Sequence, residues 1–404
     1  MLKKMGMIGP VIWVFLFGCI IYHIIVSDKN GFVEAKRFSK FEDLEIENRI
    51  KAMNKPAVKI IKTIDGESYG CVDFYKQPAF DHPSMKNHRY TMRPIWKGIM
   101  RKQNTSDAEF GYLWENGVGC PVGTVPIQRV TKEDILRLDS YGDNHKPCGS
   151  WNTTSYDPNS PLHFDQHHFA VARTKNIGRR FHGATMELCI TAPKVKPTQY
   201  SATRIHVQIG RDFIQAGLTV NPVLYKDHQP RTFVYTYAHG KSCYNSNCNT
   251  GVLVLRRDFP FGMALKPVSI RGANTSYYGS FRLVMDQKYE NWWFQFGNNA
   301  VEIGLWPWYR FNQSFGNLVE WGGEVYSAFL PSPQMGYGYF PVEAVRYDAY
   351  IQNISVLDRD YNTDHNVMDL EDFSDNTQGY KVIDTRNPKH RGGHIIFYGG
   401  PGNI

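Results

Sequence analysis

The second half of the chain is built from short, strand-like segments separated by turn residues. Beyond residue 162, no long stretch shows the 3.6-residue apolar period of a helix. The recurring segments are HHFAVART, GATMELCIT, IHVQIGRDF, RTFVYTY, GVLVLRR, GSFRLVMD, NWWFQFG and AVEIGLW. Such strands can bury their apolar faces only by packing sheet on sheet or by closing a sheet on itself. The sequence therefore predicts an all-β sandwich or barrel.

The residues before this region predict a smaller α+β part. KFEDLEIENRIKAMN (residues 40–54) combines helix formers with spaced apolar residues, and Pro56 ends it. A second helix is predicted for TKEDILRL, where Thr131 can cap the first turn and Asp134 stands at the fourth position. Residues 141–161 are rich in Gly, Pro, Asn and Ser, which predicts an exposed linker that proteases can reach.

The start of the chain predicts export. Residues 7–26, MIGPVIWVFLFGCIIYHIIV, carry no charge and follow two lysines. We interpret residues 1–27 as a signal peptide or, since the apolar stretch is long enough to span a bilayer, an uncleaved signal anchor. We expect the protein in the extracellular space, the cell wall or the vacuole, with membrane attachment only if the anchor is kept.

Glycosylation sites and charge agree with an exported protein. The net charge of +8 is spread along the chain without a Lys/Arg block, so we predict no nucleic-acid partner. Five Asn-x-Ser/Thr tripeptides predict N-glycans. They begin at Asn104, Asn152, Asn274, Asn312 and Asn353.

The cysteine count predicts disulfide bonds. Cys19 lies in the export segment, which leaves six cysteines, an even number that suits an oxidising compartment. Cys243 and Cys248 enclose four polar residues and are predicted to form a small loop closed by their own bridge. The other four cysteines allow three pairings, and their order alone does not choose between them.

Two carboxylates stand among apolar and glycine neighbours in LVEWGGEVY, residues 318–326. In a strand, successive side chains point to opposite faces, so Val319, Trp321 and Val325 form the apolar side while Glu320 and Glu324 share the other. We expect that other side to be an open face lining a cleft. An ionisable group in such surroundings is costly, which makes both glutamates candidates for chemistry.

Several motifs resemble the plant neprosin family. They are GCVDFYKQPAFDHPSMKNHRYTMRP (residues 70–94), CPVGTVPIQRVTKEDILR, NWWFQFG, LVEWGGEV and the terminal FYGGPG. The resemblance implies an activation propeptide over residues 28–145 and a peptidase domain over 150–404, an antiparallel β-sandwich with a cleft across one sheet. It also implies a bridge between Cys71 and Cys120.

The function implied by this resemblance is that of a secreted glutamic endopeptidase. Such an enzyme cleaves proline-containing polypeptides on the C-terminal side of proline, works at acidic pH without metal or cofactor, and is inhibited by its own propeptide until that is removed. The family's site has two glutamates, one in a strand reading IEAGW and one in EWGGE. The second matches Glu320, with Glu324 as the less favoured choice, whereas the first falls on Gln215 in FIQAGLTV.

We therefore predict a Gln215/Glu320 dyad. Glu320 would take a proton from water, and the Gln215 amide would donate to the oxyanion. Gly217 and Gly322 follow these residues on the same faces and are expected to leave space for a substrate backbone. The alternative is an inactive binding protein for proline-rich or cell-wall ligands, because an amide cannot share or deliver a proton.

The sequence HFDQHH is the strongest metal-like motif, with His163, Asp165, His167 and His168 at close spacing. In a strand His167 and His168 point to opposite faces, and no second cluster of ligand residues follows nearby. We predict no metal site there.

Overall fold

The computed structural model describes residues 40–85, 109–142, 145–151, 166–175, 178–386 and 393–404. The predicted export segment and the sequons at Asn104 and Asn152 lie outside these residues. The chain divides into two compact units, residues 1–45 and 46–404, and every sheet lies in the second. None of the helices described in these ranges is long and apolar enough to cross a membrane.

Two helices form where the sequence predicts them, and a third, of a single turn, is not predicted. Helix α1 spans Lys40–Met53, helix α2 spans Lys132–Tyr141, and a single turn, α3, spans Pro222–Tyr225. Thr131 caps α2, because its side chain accepts from the backbone N–H of Asp134 and the Asp134 carboxylate accepts from the N–H of Thr131. This reciprocal capping satisfies backbone donors that the first helical turn leaves free, and it confirms the predicted helix start.

The described residues form 19 strands, most of them short, as the sequence pattern indicates. In chain order they are β1 (Ala57–Lys62), β2 (Ser68–Asp73), β3 (Thr124–Gln128), β4 (His167–Thr174), β5 (Gly183–Cys189), β6 (Gln199–Ile209), β7 (Asp212–Val220), β8 (Arg231–Ala238), β9 (Lys241–Tyr244), β10 (Leu253–Val254), β11 (Tyr278–Met285), β12 (Trp292–Phe296), β13 (Val301–Trp306), β14 (Leu318–Ser327), β15 (Ala349–Leu357), β16 (Thr363–Asp364), β17 (Leu370–Ser374), β18 (Lys381–Arg386) and β19 (His394–Gly399).

These strands make three sheets, and all their pairings are antiparallel. A small sheet has the order β1-β2-β3. A nine-stranded sheet has the order β10-β13-β12-β11-β5-β15-β19-β18, with β16 beside β15, and a seven-stranded sheet has the order β17-β4-β14-β6-β7-β8-β9. The fold is an all-β antiparallel sandwich preceded by a smaller α+β part, which confirms the predicted fold class.

The two large sheets pack face to face around one apolar core. Alternate residues of β6, β7 and β14 point into it and meet residues from β5 and β11. Two buried indoles cross between the sheets: Trp321 donates to the carbonyl of Thr185 at 2.9 Å, and Trp306 donates to the Thr236 hydroxyl at 2.8 Å. Each indole N–H therefore has a partner inside the core, as a buried tryptophan requires.

The small sheet packs on the sandwich through hydrogen bonds as well as apolar contacts. The Tyr69 hydroxyl donates to the carbonyl of Phe261 at 2.7 Å, and the backbone N–H of Val254 donates to Gln77 at 2.7 Å. These contacts seat the first part of the chain on residues that come almost 200 positions later.

Two of the predicted disulfides are present. Cys71 is bridged to Cys120 inside the small sheet region, and Cys243 is bridged to Cys248. The first bridge confirms the pairing that the family resemblance implies. Cys148 and Cys189, whose pairing the sequence leaves open, are free thiols.

Candidate active site

The outer face of the seven-stranded sheet carries the candidate residues side by side. In register, Glu320 of β14 lies opposite His206 of β6, and His206 lies opposite Gln215 of β7. The predicted alternation is correct, because these side chains all point away from the apolar core. Both Glu320 and Glu324, however, are 0% exposed, so this face is not the open surface that the sequence analysis expects.

A short segment covers this face. Residues 145–151, here called the covering segment, lie within the stretch for which the sequence predicts an exposed linker. That prediction is wrong for the covering segment, since His145 and Ser150 are buried at 5% and 0% exposure. The physical reason is that its backbone N–H groups find acceptors in carboxylates that come about 170 residues later, which local composition cannot reveal.

Arg204 lies between the two glutamates and is fully buried. Its Nε donates to Glu324 Oε2 at 2.9 Å. Its Nη2 lies 2.6 Å from Glu320 Oε2 without the alignment of a hydrogen bond, so that contact is an ion pair. Burial alone would lower the pKa of Arg204, but the charges of the two carboxylates outweigh it and raise the pKa.

Glu324 has the more complete set of partners. Its Oε1 accepts from the Tyr200 hydroxyl at 2.7 Å and from the backbone N–H of Cys148 at 3.1 Å, and His167 Nδ1 lies 3.3 Å away. Burial raises the pKa of Glu324, but the hydrogen bond from His167 and the charge of Arg204 together lower it to about 2. Glu324 is therefore a carboxylate whose ionised form is held by its surroundings.

Glu320 is held by a different set. Its Oε1 accepts from both the backbone N–H and the hydroxyl of Ser150, at 2.8 and 2.6 Å. The Ser150 hydroxyl also accepts from Arg173 Nη1 at 2.8 Å, and the Arg173 guanidinium lies over the ring of Trp151. Glu320 thus receives two of its hydrogen bonds from the covering segment.

Gln215 connects the covering segment to Glu324. Its Nε2 donates to the carbonyl oxygen of Cys148 at 3.0 Å and lies 3.1 Å from His206 Nδ1 and 3.4 Å from Glu324 Oε2. Burial lowers the pKa of His206, which favours the neutral ring. With Nδ1 accepting from Gln215, the Nε2–H can donate to Gln208 at 3.0 Å.

The structure thus brings all three predicted candidates together but pairs them differently from the prediction. Gln215 Nε2 lies 3.4 Å from Glu324 Oε2, whereas Glu320 hydrogen-bonds to Ser150. The cause is the length of the side chains, which lean along the strands and reach past the residue directly opposite. Which glutamate reacts stays a prediction.

The glycines on this face do not serve the predicted purpose. A Cβ placed on Gly217 would lie 2.0 Å from the carbonyl oxygen of Thr203, and one on Gly322 would lie 2.3 Å from that of Ala170. Gly322 also has a φ of +151°, which other residues rarely adopt. These glycines make room for the neighbouring strands rather than for a substrate. Gly149 of the covering segment does mark a close approach, since its Cβ would lie 2.9 Å from the His206 ring.

The sequence analysis missed Arg204, Tyr200 and Ser150. A signal was present in QYSATRIHVQI, where Tyr200, Arg204 and His206 recur on one side of a strand whose other side becomes apolar in its second half. Ser150 had no comparable signal, because its role depends on where the covering segment lies.

A cavity of about 630 Å³ lies beside Cys148, whose backbone contacts Gln215 and Glu324. Its lining includes Pro147 and Cys148 from the covering segment and the rings of Phe213, Tyr235 and Tyr237. The rings of Phe213 and Tyr237 stack with centroids 5.3 Å apart. The cavity therefore has an aromatic wall at the point where the covering segment enters the site.

The three sequons that the structure describes differ in accessibility. Asn274 and Asn312 are exposed, as a glycan requires. Asn353 is half-buried and its side-chain amide donates to Glu187, so this amide is already engaged.

Two family models match this chain over most of its length. One, described as Neprosin, matches residues 197–401, and the other, described as Neprosin activation peptide, matches residues 60–173. Among solved structures, the crystal structure of Scytalido-glutamic peptidase with a peptide-based transition state analog is similar at a TM-score of 0.31 and 6% identity. The match covers 58% of this chain and 97% of that one.

Proposed function

Because the chain belongs to the neprosin family, we propose that it is the latent form of a glutamic-type endopeptidase in which Glu324 and Gln215 act on the substrate. One observation carries this proposal: Cys148 is held as a substrate residue would be. Its carbonyl oxygen accepts from Gln215 at 3.0 Å while its own N–H donates to Glu324 at 3.1 Å. Residue 148 is thus already held between the two side chains, with the carbonyl of the 148–149 peptide bond on Gln215 and the N–H of the preceding bond on Glu324.

The chemistry follows from these contacts. When a substrate replaces the covering segment, its scissile carbonyl accepts from Gln215 Nε2, and the ionised Glu324 takes a proton from a water that attacks the carbonyl carbon. The negative charge that develops on the carbonyl oxygen is stabilised by the Gln215 amide. Glu324 then gives the proton to the leaving amine as the C–N bond breaks, so the carboxylate is regenerated.

We prefer Glu324 to Glu320 as the general base for two reasons: the residue that it contacts and the side chains that hold it in place. It is the glutamate that reaches the residue whose carbonyl Gln215 binds. Tyr200 and Arg204, which belong to the sheet, hold it in place. The Glu320 carboxylate forms the second ion pair of the Arg204 guanidinium. We therefore assign Glu320 the role of positioning Arg204.

The same contacts support specificity for proline. In the latent chain the Cys148 N–H occupies Glu324 Oε1, the oxygen that the attacking water needs. A proline at this position has no N–H and leaves the carboxylate free. The aromatic wall formed by Phe213, Tyr235 and Tyr237 offers an apolar surface for the residues before the cleaved bond.

The full-length chain is inactive in this proposal because the covering segment occupies the substrate site. The covering segment must leave before a substrate can bind, and the Cys71–Cys120 bridge lies wholly before it. A cut in the region of residues 141–161 would therefore free the propeptide, proposed to be residues 28–145, from the peptidase domain, proposed to be residues 150–404. The apolar N-terminal stretch and the two disulfides support secretion of this enzyme.

A peptide-library digest with the processed protein at acidic pH tests the proposal. We expect cleavage on the C-terminal side of proline, lost in Glu324→Gln and kept in Glu187→Gln, a control on the other sheet that contacts Asn353. Cleavage without regard to proline would refute the specificity. Full activity of a folded Glu324→Gln protein would refute the catalytic assignment.

A second function is favoured by Gln215 itself. An amide cannot deliver a proton, so the chain would be a binding protein for proline-rich or cell-wall ligands if the family reaction needs two carboxyl groups. The variant Gln215→Glu separates the two functions. A large gain from no activity would indicate the binding protein, whereas little change or a loss would support a working Gln/Glu pair.

A further inference from the structure

Three side chains with metal-binding atoms converge beneath the covering segment. The Cys148 thiol, the His167 imidazole and the Glu324 carboxylate each place one such atom within 4.8 Å of the others. They come from three separate parts of the chain: the covering segment, β4 and β14. Cys148 is a free thiol, and nothing in the proposed peptidase reaction uses its sulfur.

We propose that Cys148, His167 and Glu324 form a zinc-binding site in the latent chain. Sulfur, imidazole nitrogen and carboxylate oxygen are the three ligand types that zinc takes in proteins, and the thiolate argues against magnesium and calcium. Three protein ligands leave one position of a tetrahedral site for water. The Tyr200 hydroxyl lies 2.7 Å from Glu324 Oε1 and 3.3 Å from His167 Nδ1, so it is close to two of the three ligand atoms.

The distances between the three ligand atoms are close to those found around a bound zinc ion. In a tetrahedral zinc site with bonds of about 2.0 to 2.3 Å, ligand atoms lie roughly 3.5 Å apart. His167 Nδ1 and Glu324 Oε1 are already 3.3 Å apart. The remaining side chains need to close by only about 1 Å, which lies within ordinary rotamer motion at a half-buried position.

The charges also balance. A thiolate and the Glu324 carboxylate neutralise a divalent ion, and binding releases two protons, one from the Cys148 thiol and one from His167, whose neighbours raise its pKa well above the usual value. The positive charge of Arg204, 2.9 Å from Glu324 Oε2, would oppose a cation, but Glu320 lies 2.6 Å from its other end and compensates it. The zinc-loaded cluster therefore adds no net charge to the buried site.

The proposed zinc site could not be recognised from the sequence motif around His167. His168 points away, and its Nδ1 contacts Asp375 at 2.6 Å. The partners of His167 are not its sequence neighbours but Cys148, nineteen positions earlier, and Glu324, more than 150 positions later. Only the fold brings them together.

A bound zinc ion would join the covering segment to two strands of the sheet. It would occupy Glu324 and hold Cys148, so removal of the metal would make the segment easier to release. This consequence for activation rests on the proposed function, whereas the metal site itself rests only on the geometry of its ligands.

Metal titration of the full-length chain tests the site. Zn²⁺ is competed against a chromophoric chelator, and Co²⁺ is used as a probe because thiolate ligation gives a charge-transfer absorption band. We expect one equivalent to bind, with affinity reduced more than about tenfold and the band lost in Cys148→Ser, since even an outer partner of a metal ligand contributes that much. Cys189→Ser, which removes the other free thiol in the part of the chain that the structure describes, should behave as the unmodified chain.

Histidine variants guard against a folding artefact. His167→Gln should weaken binding and its neighbour His168→Gln should not, with the melting temperature of each metal-free variant recorded. Absence of stoichiometric binding, or equal binding by a folded Cys148→Ser chain, would overturn the site. Zinc binding in a protein that never cleaves peptides after processing would instead overturn the proposed function and leave the site standing.

Discussion

The two glutamates of β14 lie four residues apart on one face, yet they depend on different parts of the chain. Glu324 is held mainly by side chains of the sheet, Tyr200, Arg204 and His167. Glu320 shares Arg204 but takes its hydrogen bonds from Ser150 of the covering segment. When that segment leaves, Glu324 keeps most of its support and Glu320 loses much of its own. A preorganised catalytic group needs support that outlasts activation, which is why the comparison favours Glu324.

The largest effect expected from this comparison is on turnover. In the processed protein, Glu324→Gln should lower kcat/KM by about 10³-fold or more, because the general base is lost, while Glu320→Gln should cost far less. Steady-state rates on a proline-containing peptide measure both, with circular dichroism as the check on folding. Equal losses of kcat/KM in the two variants would contradict the different roles assigned to Glu324 and Glu320.

Substitution of Gln215, which lies beside Glu324, is expected to have the next largest effect. Replacing Gln215 by Ala should lower kcat by about 10²- to 10³-fold, the usual cost of one oxyanion donor. KM should change little, because the interaction strengthens in the transition state. Gln352→Ala is the matched control, since Gln352 lies on the other sheet and contacts Glu187 rather than the site. An unchanged kcat in Gln215→Ala would show that another group holds the oxyanion.

Gly149→Ala tests how tightly the covering segment fits. The added Cβ would lie 2.9 Å from the His206 ring, so the segment should be partly expelled from the full-length chain. We expect residues 145–151 to exchange amide hydrogens and to be cut by an added protease several-fold faster than in the unmodified chain. Gly142→Ala serves as the comparison: at a φ of +63° it strains the local backbone just outside the segment, but its Cβ would meet no atom within 4 Å and so adds no clash with the site. Equal rates in both variants would contradict a close fit.

Acid should loosen the same segment through His145. Burial and the nearby charge of His167 lower the pKa of His145 to about 3, below its usual 6.5. The released segment takes up a proton below about pH 6.5 and the docked one does not, so docking weakens from there down to about pH 3. The rings of Tyr141, Tyr200 and Tyr326 also face His145.

The pKa of His167 is shifted in the opposite direction to that of His145, so its effect on docking of the covering segment also has the opposite sign. Burial lowers the pKa of His167, but Cys148 and Glu324 outweigh it and raise the pKa well above its usual value. Its contribution to docking is therefore complete below about pH 6.5 and does not change in that window. Protease sensitivity of the full-length chain should rise by up to about tenfold per pH unit on acidification. His145→Phe should flatten this profile, and an unchanged slope in that variant would assign the effect to another group.

Much of the site follows from strand alternation alone. LVEWGGEVY and FIQAGLTV place Glu320, Glu324 and Gln215 on polar faces, and the structure gives all three that orientation. The pairing of Gln215 with Glu324 does not follow, because it depends on how far long side chains lean between strands. The covering segment does not follow either, since a Gly/Pro/Asn/Ser-rich stretch reads as solvent-exposed until the acceptors for its N–H groups are placed in space.

The central claim is that residue 148 lies where a substrate residue binds, and Cys148→Pro in the full-length chain tests it most directly. Proline removes the N–H that occupies Glu324 and supplies the side chain that the site is proposed to select. We predict that this variant cuts itself between residues 148 and 149 at acidic pH, giving a new N-terminus at Gly149 by mass spectrometry. The cut should be absent from the double variant with Glu324→Gln. A Cys148→Pro chain that stays intact while the processed protein cleaves proline peptides would contradict the account.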